Sequence, residues 1–351
     1  MENSQITAFL LENHPWAQSS NPIWLATTYR LHRNLSKYHF PAKLDAATQQ
    51  QVMQFILAAT KSYTTLYLKA EDLSPLNKQL LYEHFLAAQA FQQSQTGEGF
   101  AIDEKGELFF LFNAQDHLQI QLNDASNEIE KGWNRLSRID TDLSKVLHFA
   151  FSPRFGYLTA NPDQCGTALI TSLYLHVPAL IHTDLINETL NKYSDDRVMV
   201  SSLQGSATDL IGDIVTLQNH YKLGISEEEI ISSLRTFGTK LVNDETSARQ
   251  KIKKDNSALI KNKVSRAYGL VKHSYELDTA ECLSAISLCK LGVDLEWIKG
   301  VSQKDLNHLL FNCQRAHLLA QLKKEDLSQQ ELLVQRAQFI HDHFNSSSLA
   351  I

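Results

Sequence analysis

The chain has 351 residues, with 33 Lys and Arg against 39 Asp and Glu, for a net charge of −6. Hydrophobic residues make up 43 % and charged residues 21 %, which excludes a disordered tail or a fibre and leaves room for two or three domains. The mild negative charge argues against a general nucleic-acid binder, and no apolar stretch reaches the roughly 20 residues that span a bilayer.

Met1 to Trp16 carries Glu2 and Glu12 and no basic start, so it does not read as a secretory signal. Cys165, Cys282, Cys289 and Cys313 form no CxxC pair, which suits free thiols in a reducing cytoplasm. Gln49 to Thr60 places Val52, Phe55, Ile56 and Ala59 on one helical face. Leu76 to Phe91 reads as a second amphipathic helix. Gly106 to Asn113 and His117 to Leu122 then read as two antiparallel strands joined around Ala114 to Asp116. Helix is expected again over Asn127 to Leu147, and strand over Phe151 to Ala160 with a break at Pro162. Beyond Gly224 the signals are helical. Ser226, Asp278, Ser302 and Ser328 each precede an acid by three residues, the pattern of a helix N-cap. The basic, polar stretch Arg249 to Lys263 marks the expected domain boundary.

Read for chemistry alone, the chain is sparse. It has no GxxxxGK[ST] loop, no GxGxxG and no GxSxG elbow. His341-Asp342-His343 reads as a solvated helix end rather than a metal site. Asp116 and His117 are strand neighbours that point to opposite faces. Cys165 reads as a packing residue, with a thiolate at a helix start as the alternative.

Longer segments say more. Phe155 to Leu180 reads FGYLTANPDQCGTALITSLYLHVPAL, Phe112 to Gln121 reads FNAQDHLQIQ, and Ala26 to Leu35 reads ATTYRLHRNL. Gly205 to Ile231 ends in LGISEEEII. Arg266-Ala267-Tyr268-Gly269 and LNHLLFNCQRAHL complete the set. In order and spacing these segments resemble the phosphagen (ATP:guanidino) kinases, and among them the bacterial protein-arginine kinases of the McsB type. The resemblance implies an α+β fold. Its phosphagen-kinase-like core, residues 1–254, has a mostly antiparallel sheet flanked by helices. An all-helical C-terminal domain, residues 255–351, is of the dimerisation and phosphoarginine-receptor type.

It also implies a site, and here the chain departs from the family pattern. Such enzymes hold a triphosphate in a cage of arginines and use carboxylates to orient and deprotonate the guanidinium. Arg30 keeps one cage position, whereas Thr28, Gln119, Ile170 and Ser201 stand at the other four. His84 matches a histidine near the nucleotide. Ala114 and Gln115 replace the two catalytic acids, and Asn161 replaces the active-site thiol. Of the receptor motif RDxxRA only Arg336 and Ala337 remain, with Leu332 and Leu333 at its head. One transition-state arginine is worth about 10³–10⁵ in rate, and a general base about 10²–10⁴.

A pseudokinase with a regulatory or scaffold role in arginine phosphorylation and Clp protein quality control is therefore expected, as a cytoplasmic homodimer. No metal and no cofactor are expected, although the family uses Mg-ATP. The partners implied by resemblance are an active arginine kinase, its zinc-finger activator or the Clp machinery, with no nucleic acid and no membrane. The alternative is an active protein-arginine kinase whose site is rebuilt from cations such as Arg33, Arg154 or Lys222. A third reading, a phosphoarginine reader, would depend on Arg336.

Overall fold

The computed structural model describes residues 2–13, 16, 19, 21–84, 97–202 and 210–351. Its strands are β1 (Trp24–Arg33), β2 (Leu66–Lys69), β3 (Gly99–Ile102), β4 (Leu108–Phe112), β5 (Leu118–Asp124), β6 (Phe151–Ser152), β7 (Gly156–Tyr157), β8 (Leu169–His176), β9 (Val198–Ser202), β10 (Ile214–Asn219), β11 (Ile298–Lys299) and β12 (Ser348–Leu349). Eight of them form one sheet in the order β2-β3-β4-β5-β1-β8-β10-β9. Every pairing in it is antiparallel. The β4–β5 hairpin pairs Phe112 with Leu118 and Leu108 with Leu122, as the alternation of apolar residues predicts.

The helices are α1 (Glu2–Glu12), α2 (Ala46–Thr60), α3 (Pro75–Glu83), α4 (Ile129–Ser144), α5 (Pro178–His182), α6 (Ile186–Lys192), α7 (Glu227–Lys254), α8 (Ala258–His273), α9 (Thr279–Asp294), α10 (Gln303–Asn312), α11 (Arg315–Gln321) and α12 (Gln329–Phe344). One sheet face carries α4 and α7. Both approach closely because a glycine faces the sheet. A Cβ on Gly132 would come within 2.6 Å of the Tyr29 hydroxyl, and one on Gly238 within 2.8 Å of Leu173. That hydroxyl donates to the Ile129 carbonyl at 2.8 Å, which fixes the start of α4 on β1. On the opposite face, α1, α3 and α11 bury Ile6, Leu10, Leu80, Leu81 and Ala316 against Phe100, Phe109 and Leu111 of β3 and β4. The β5 to β9 part of that face is polar.

All four expected N-caps are present. Ser226, Ser302 and Ser328 form reciprocal capping boxes with Glu229, Asp305 and Glu331, and Asp278 accepts the Glu281 N–H. Other expectations need correction. Phe55 is 44 % exposed, and Met53 takes the buried place beside Val52 and Ile56. Phe151 to Ala160 is a tight β6–β7 hairpin rather than one strand. The second helix covers Pro75–Glu83, and its expected continuation over 85–91 lies outside the described residues. The helical C-terminal part also holds a two-residue antiparallel pair, β11 with β12.

The stretch Arg249 to Lys263 is helical on both sides of a three-residue break. Helix α7 runs through it to Lys254, and α8 begins at Ala258. Arg249 is 4 % exposed. Its Nε donates to Glu245 Oε1 at 2.6 Å, one terminal nitrogen to Asp294 Oδ2 at 3.2 Å and the other to the His176 carbonyl at 3.1 Å. Glu245 in turn accepts the N–H groups of Ala179 and Leu180 at 3.1 and 2.9 Å. Burial raises the Glu245 pKa, while Arg249 and those two N–H groups oppose the rise. One guanidinium thus ties α7, β8 and α9 together. Beside it, the Ser287 hydroxyl of α9 donates to Asp213 at 2.5 Å and meets His176 Nε2 at 2.8 Å. Removing one partner of a buried ion pair leaves the other uncompensated, at a cost of about 3–5 kcal/mol. Arg249→Ala is therefore expected to lower unfolding free energy by that amount in urea titration, whereas the exposed pair mutant Lys253→Ala should change it by less than about 1 kcal/mol.

Candidate functional site

Strand geometry decides which side chains share a surface. Alternate residues on a strand face the same way, and directly paired residues on neighbouring strands do too. In register, Thr28 lies opposite Asn123 and Ser172, and Arg30 lies opposite Gln121 and Ile170. Gln119 lies opposite His32, Ser172 opposite Gln218, and Ser201 opposite Thr216. Thr28, Arg30, Gln119, Ile170 and Ser201 therefore share the polar face of the sheet, although they come from four strands and span 173 positions.

That face is a ladder of neutral hydrogen bonds. Arg30 Nε donates to Gln121 Oε1 at 2.8 Å, Gln121 Nε2 donates to Asn123 Oδ1 at 3.0 Å, and the Thr28 hydroxyl donates to the same oxygen at 3.2 Å. Ser172 donates to Gln218 at 3.1 Å. Ile170 is 9 % exposed and puts an apolar patch beside Arg30. Gln121 and Asn123 were not singled out from sequence. The signal was the amide alternation of Gln119, Gln121 and Asn123 in LQIQLND, which only the register turns into a ladder. Arg30 is the one cation among the described residues that register places on this face. Residues 85–96 and 203–209 contain no Lys or Arg.

Asp116 joins the segments that carry Ala114, Gln115 and Asn161. Ala114 and Gln115 are exposed in the β4–β5 turn. Asp116, next to them, accepts from Asn34 Nδ2 at 2.6 Å and from the Ala160 N–H at 2.7 Å, and its second oxygen meets His32 Nδ1 at 3.0 Å. Ala160 adjoins Asn161, whose side chain accepts the Asp163 N–H at 3.1 Å. Burial alone would raise the Asp116 pKa, but His32, Ala160 and Asn34 together hold it below the usual carboxylate value, which makes it a weak base. A polyphosphate and a guanidinium nucleophile do not fit this donor set. Among the described residues it supplies one arginine where several cations are needed, and no free carboxylate where a proton must be accepted.

The other candidates lie elsewhere. His84 is 1 % exposed at the end of α3, stacked on His317 of α11 at 4.7 Å between ring centres. Its neighbour Glu83 accepts the Ala316 and His317 N–H groups, so this corner fastens α3 to α11. Arg336 is 1 % exposed, and it donates to the carbonyls of Cys313 and Leu277 at 2.7 and 2.8 Å. Leu332 packs on Leu318 and Leu319 within the same chain. Arg33 grips Asp140 of α4 through two bonds of 2.9 and 2.8 Å. Arg154 stacks over Phe155 in the β6–β7 hairpin, and Lys222 Nζ donates to the His220 carbonyl. Cys165 meets the Thr159 hydroxyl at 3.4 Å. His341 to His343 close α12, and no group of three metal-ligating side chains converges among the described residues. No helix among them is long and apolar enough to cross a membrane.

Comparison with known proteins places this architecture. The family model "ATP:guanido phosphotransferase, C-terminal catalytic domain" matches residues 47–248, and "Protein-arginine kinase McsB C-terminal domain" matches residues 257–350. A protein-arginine kinase of Chlamydia pneumoniae is 35 % identical over 316 residues, covering 88 % of this chain and 87 % of that one. The chain belongs to the protein-arginine kinase family. A second protein-arginine kinase, from Halothermothrix orenii, is 30 % identical over 336 residues, covering 94 % and 96 % of the two chains. Among solved structures, lombricine kinase shares the fold with a TM-score of 0.57 at 16 % identity, covering 69 % of this chain and 71 % of that one. The duplicated taurocyamine kinase of Schistosoma mansoni does so with a TM-score of 0.56 at 20 % identity, covering 72 % of this chain and 35 % of that one. The protein-arginine kinase fold is thus retained around a polar face with one arginine.

Arg336→Ala is expected to destabilise by about 2–4 kcal/mol, because two buried carbonyls lose their donors. Free phosphoarginine should not shift the melting temperature of the unmutated chain. The pH dependence has a definite sign. Burial lowers the His117 pKa from 6.5 to about 4, so the unfolded chain takes its proton first on acidification. That stability is complete above about pH 6.5 and is lost between 6.5 and 4, by up to about 3 kcal/mol. Buried His176 shifts in the same direction. Urea midpoints should fall across that window, and His117→Gln should flatten the fall.

Proposed function

We propose that this chain is a catalytically silent member of the protein-arginine kinase family that acts through protein partners. The observation that carries the reading is the polar sheet face, where Arg30 alone supplies positive charge and its Nε is spent on Gln121. Phosphoryl transfer depends on positioning and on neutralising phosphate charge. Neither amides nor Ile170 can replace the missing guanidinium groups, since an amide carries no net charge. The proton acceptor is missing as well. Gln115 cannot take a proton at neutral pH, and Asp116 is committed to Asn34, His32 and Ala160.

An active enzyme with a rebuilt site would need other cations to converge on the face. Arg33 is held by Asp140, Arg154 lies over Phe155 and Lys222 is bonded to His220, so no observation favours that reading. The function left to such a scaffold is regulatory. An active arginine kinase, its zinc-finger activator or Clp components in the cytoplasm are the proposed partners, with a homodimer as the working unit.

Two measurements test the silent site. Binding to the native state raises stability by about 2.7 kcal/mol at a hundredfold excess over Kd, so a nucleotide-binding protein would melt several degrees higher in Mg-ATP. Here the melting temperature should stay unchanged at millimolar Mg-ATP. Incubation with Mg-ATP and an arginine-rich protein should yield no phosphoarginine, and robust phosphoarginine would overturn the proposal.

A further inference from the structure

Residues 30–44, 46–70 and 143–162 contain no Asp or Glu, although acids are 39 of the 351 residues. Parts of all three stretches meet on one surface. Leu35 pairs with Phe149, and the Ser36 N–H donates to the His148 carbonyl at 2.9 Å. Leu35, Lys37, Tyr38, Phe55 and His148 line a cavity of about 150 Å³. Phe55 and Tyr38 are 44 % and 37 % exposed. Three residues past His148, the β6–β7 hairpin carries Phe151, 59 % exposed and edge-on to Tyr157 at 5.4 Å. Arg154 lies over the exposed Phe155 ring at the hairpin turn.

Exposed aromatic side chains gathered around a concavity mark binding surfaces rather than ordinary exterior. A cavity of this size admits one benzene ring. Lys37 puts a positive charge on that rim, and no acid is among the described residues that line the cavity, on a chain whose net charge is −6. Such a rim attracts an acidic partner and repels one rich in arginine. We infer that this surface docks an acidic protein segment bearing one aromatic side chain. The ring enters the cavity between Tyr38 and Phe55, and a flanking carboxylate meets Lys37 on its rim. A single anchoring cavity with an exposed rim fits a peptide better than a nucleic acid, which needs a track of stacking faces along a charged groove.

The inference extends the scaffold reading and rests on it, yet the two fail separately. Melting in Mg-ATP reads the silent site, whereas peptide binding reads this surface. The test is fluorescence anisotropy with the full chain and a fluorescein-labelled peptide of Glu and Gly around a central Trp. The controls are the same peptide with Lys for Glu, the same peptide with Ala for Trp, and single-stranded oligo-dT. Saturable binding of the acidic Trp peptide is expected, weakening with salt. Both Phe55→Ala and Lys37→Glu should weaken it about tenfold. Both positions are exposed, and unchanged circular dichroism would show that the variants fold. No saturable binding, equal affinity in the variants, equal affinity for either control peptide, or tighter binding of oligo-dT would each overturn the inference.

Discussion

Positive charge must be held at fixed points for a polyphosphate to bind, and the polar face of this sheet holds one guanidinium. Arg30 sits in a row of amides and hydroxyls, and Gln121 accepts its Nε–H. Hydrogen bonds of this kind satisfy a partly buried surface at little net cost. They do not neutralise phosphate. The face can therefore stay folded and polar while being unsuited to the chemistry of its relatives.

Three other arginines named here serve the scaffold. Arg33 fastens β1 to α4 through Asp140, Arg249 joins α7 to β8 and α9, and Arg336 closes the gap between α9, α10 and α12 through two carbonyls. Each is nearly inaccessible to solvent. A planar guanidinium suits this work because its donors reach several acceptors at once without losing charge. The hydrophobic core runs without a break from the sheet into the C-terminal helices. Glu83 and Glu245 add polar fastenings by capping α11 and α5.

Asp116 fastens the β4–β5 turn to its neighbours. Its carboxylate collects Asn34, His32 and the Ala160 amide, beside the exposed Ala114 and Gln115. The turn thereby holds two segments of the chain together. The aromatic cavity lined by Lys37, Tyr38, Phe55 and His148 is formed by residues other than those of the polar face.

Much of the fold was legible in the residues. The caps at Ser226, Asp278, Ser302 and Ser328 and the β4–β5 hairpin follow from local chemistry, because a cap or a two-strand period involves residues a few positions apart. That Thr28, Gln119, Ile170 and Ser201 carry no charge was also legible, since none of these side chains ionises near neutral pH. Tertiary structure alone decided where the surviving charges point. Burial and partner choice join residues such as Arg249 and His176, or Arg336 and Leu277, that are far apart in the chain. Register across four strands turned scattered amides into one polar face with a single cation, and long-range packing made Phe55 an exposed aromatic instead of a core residue.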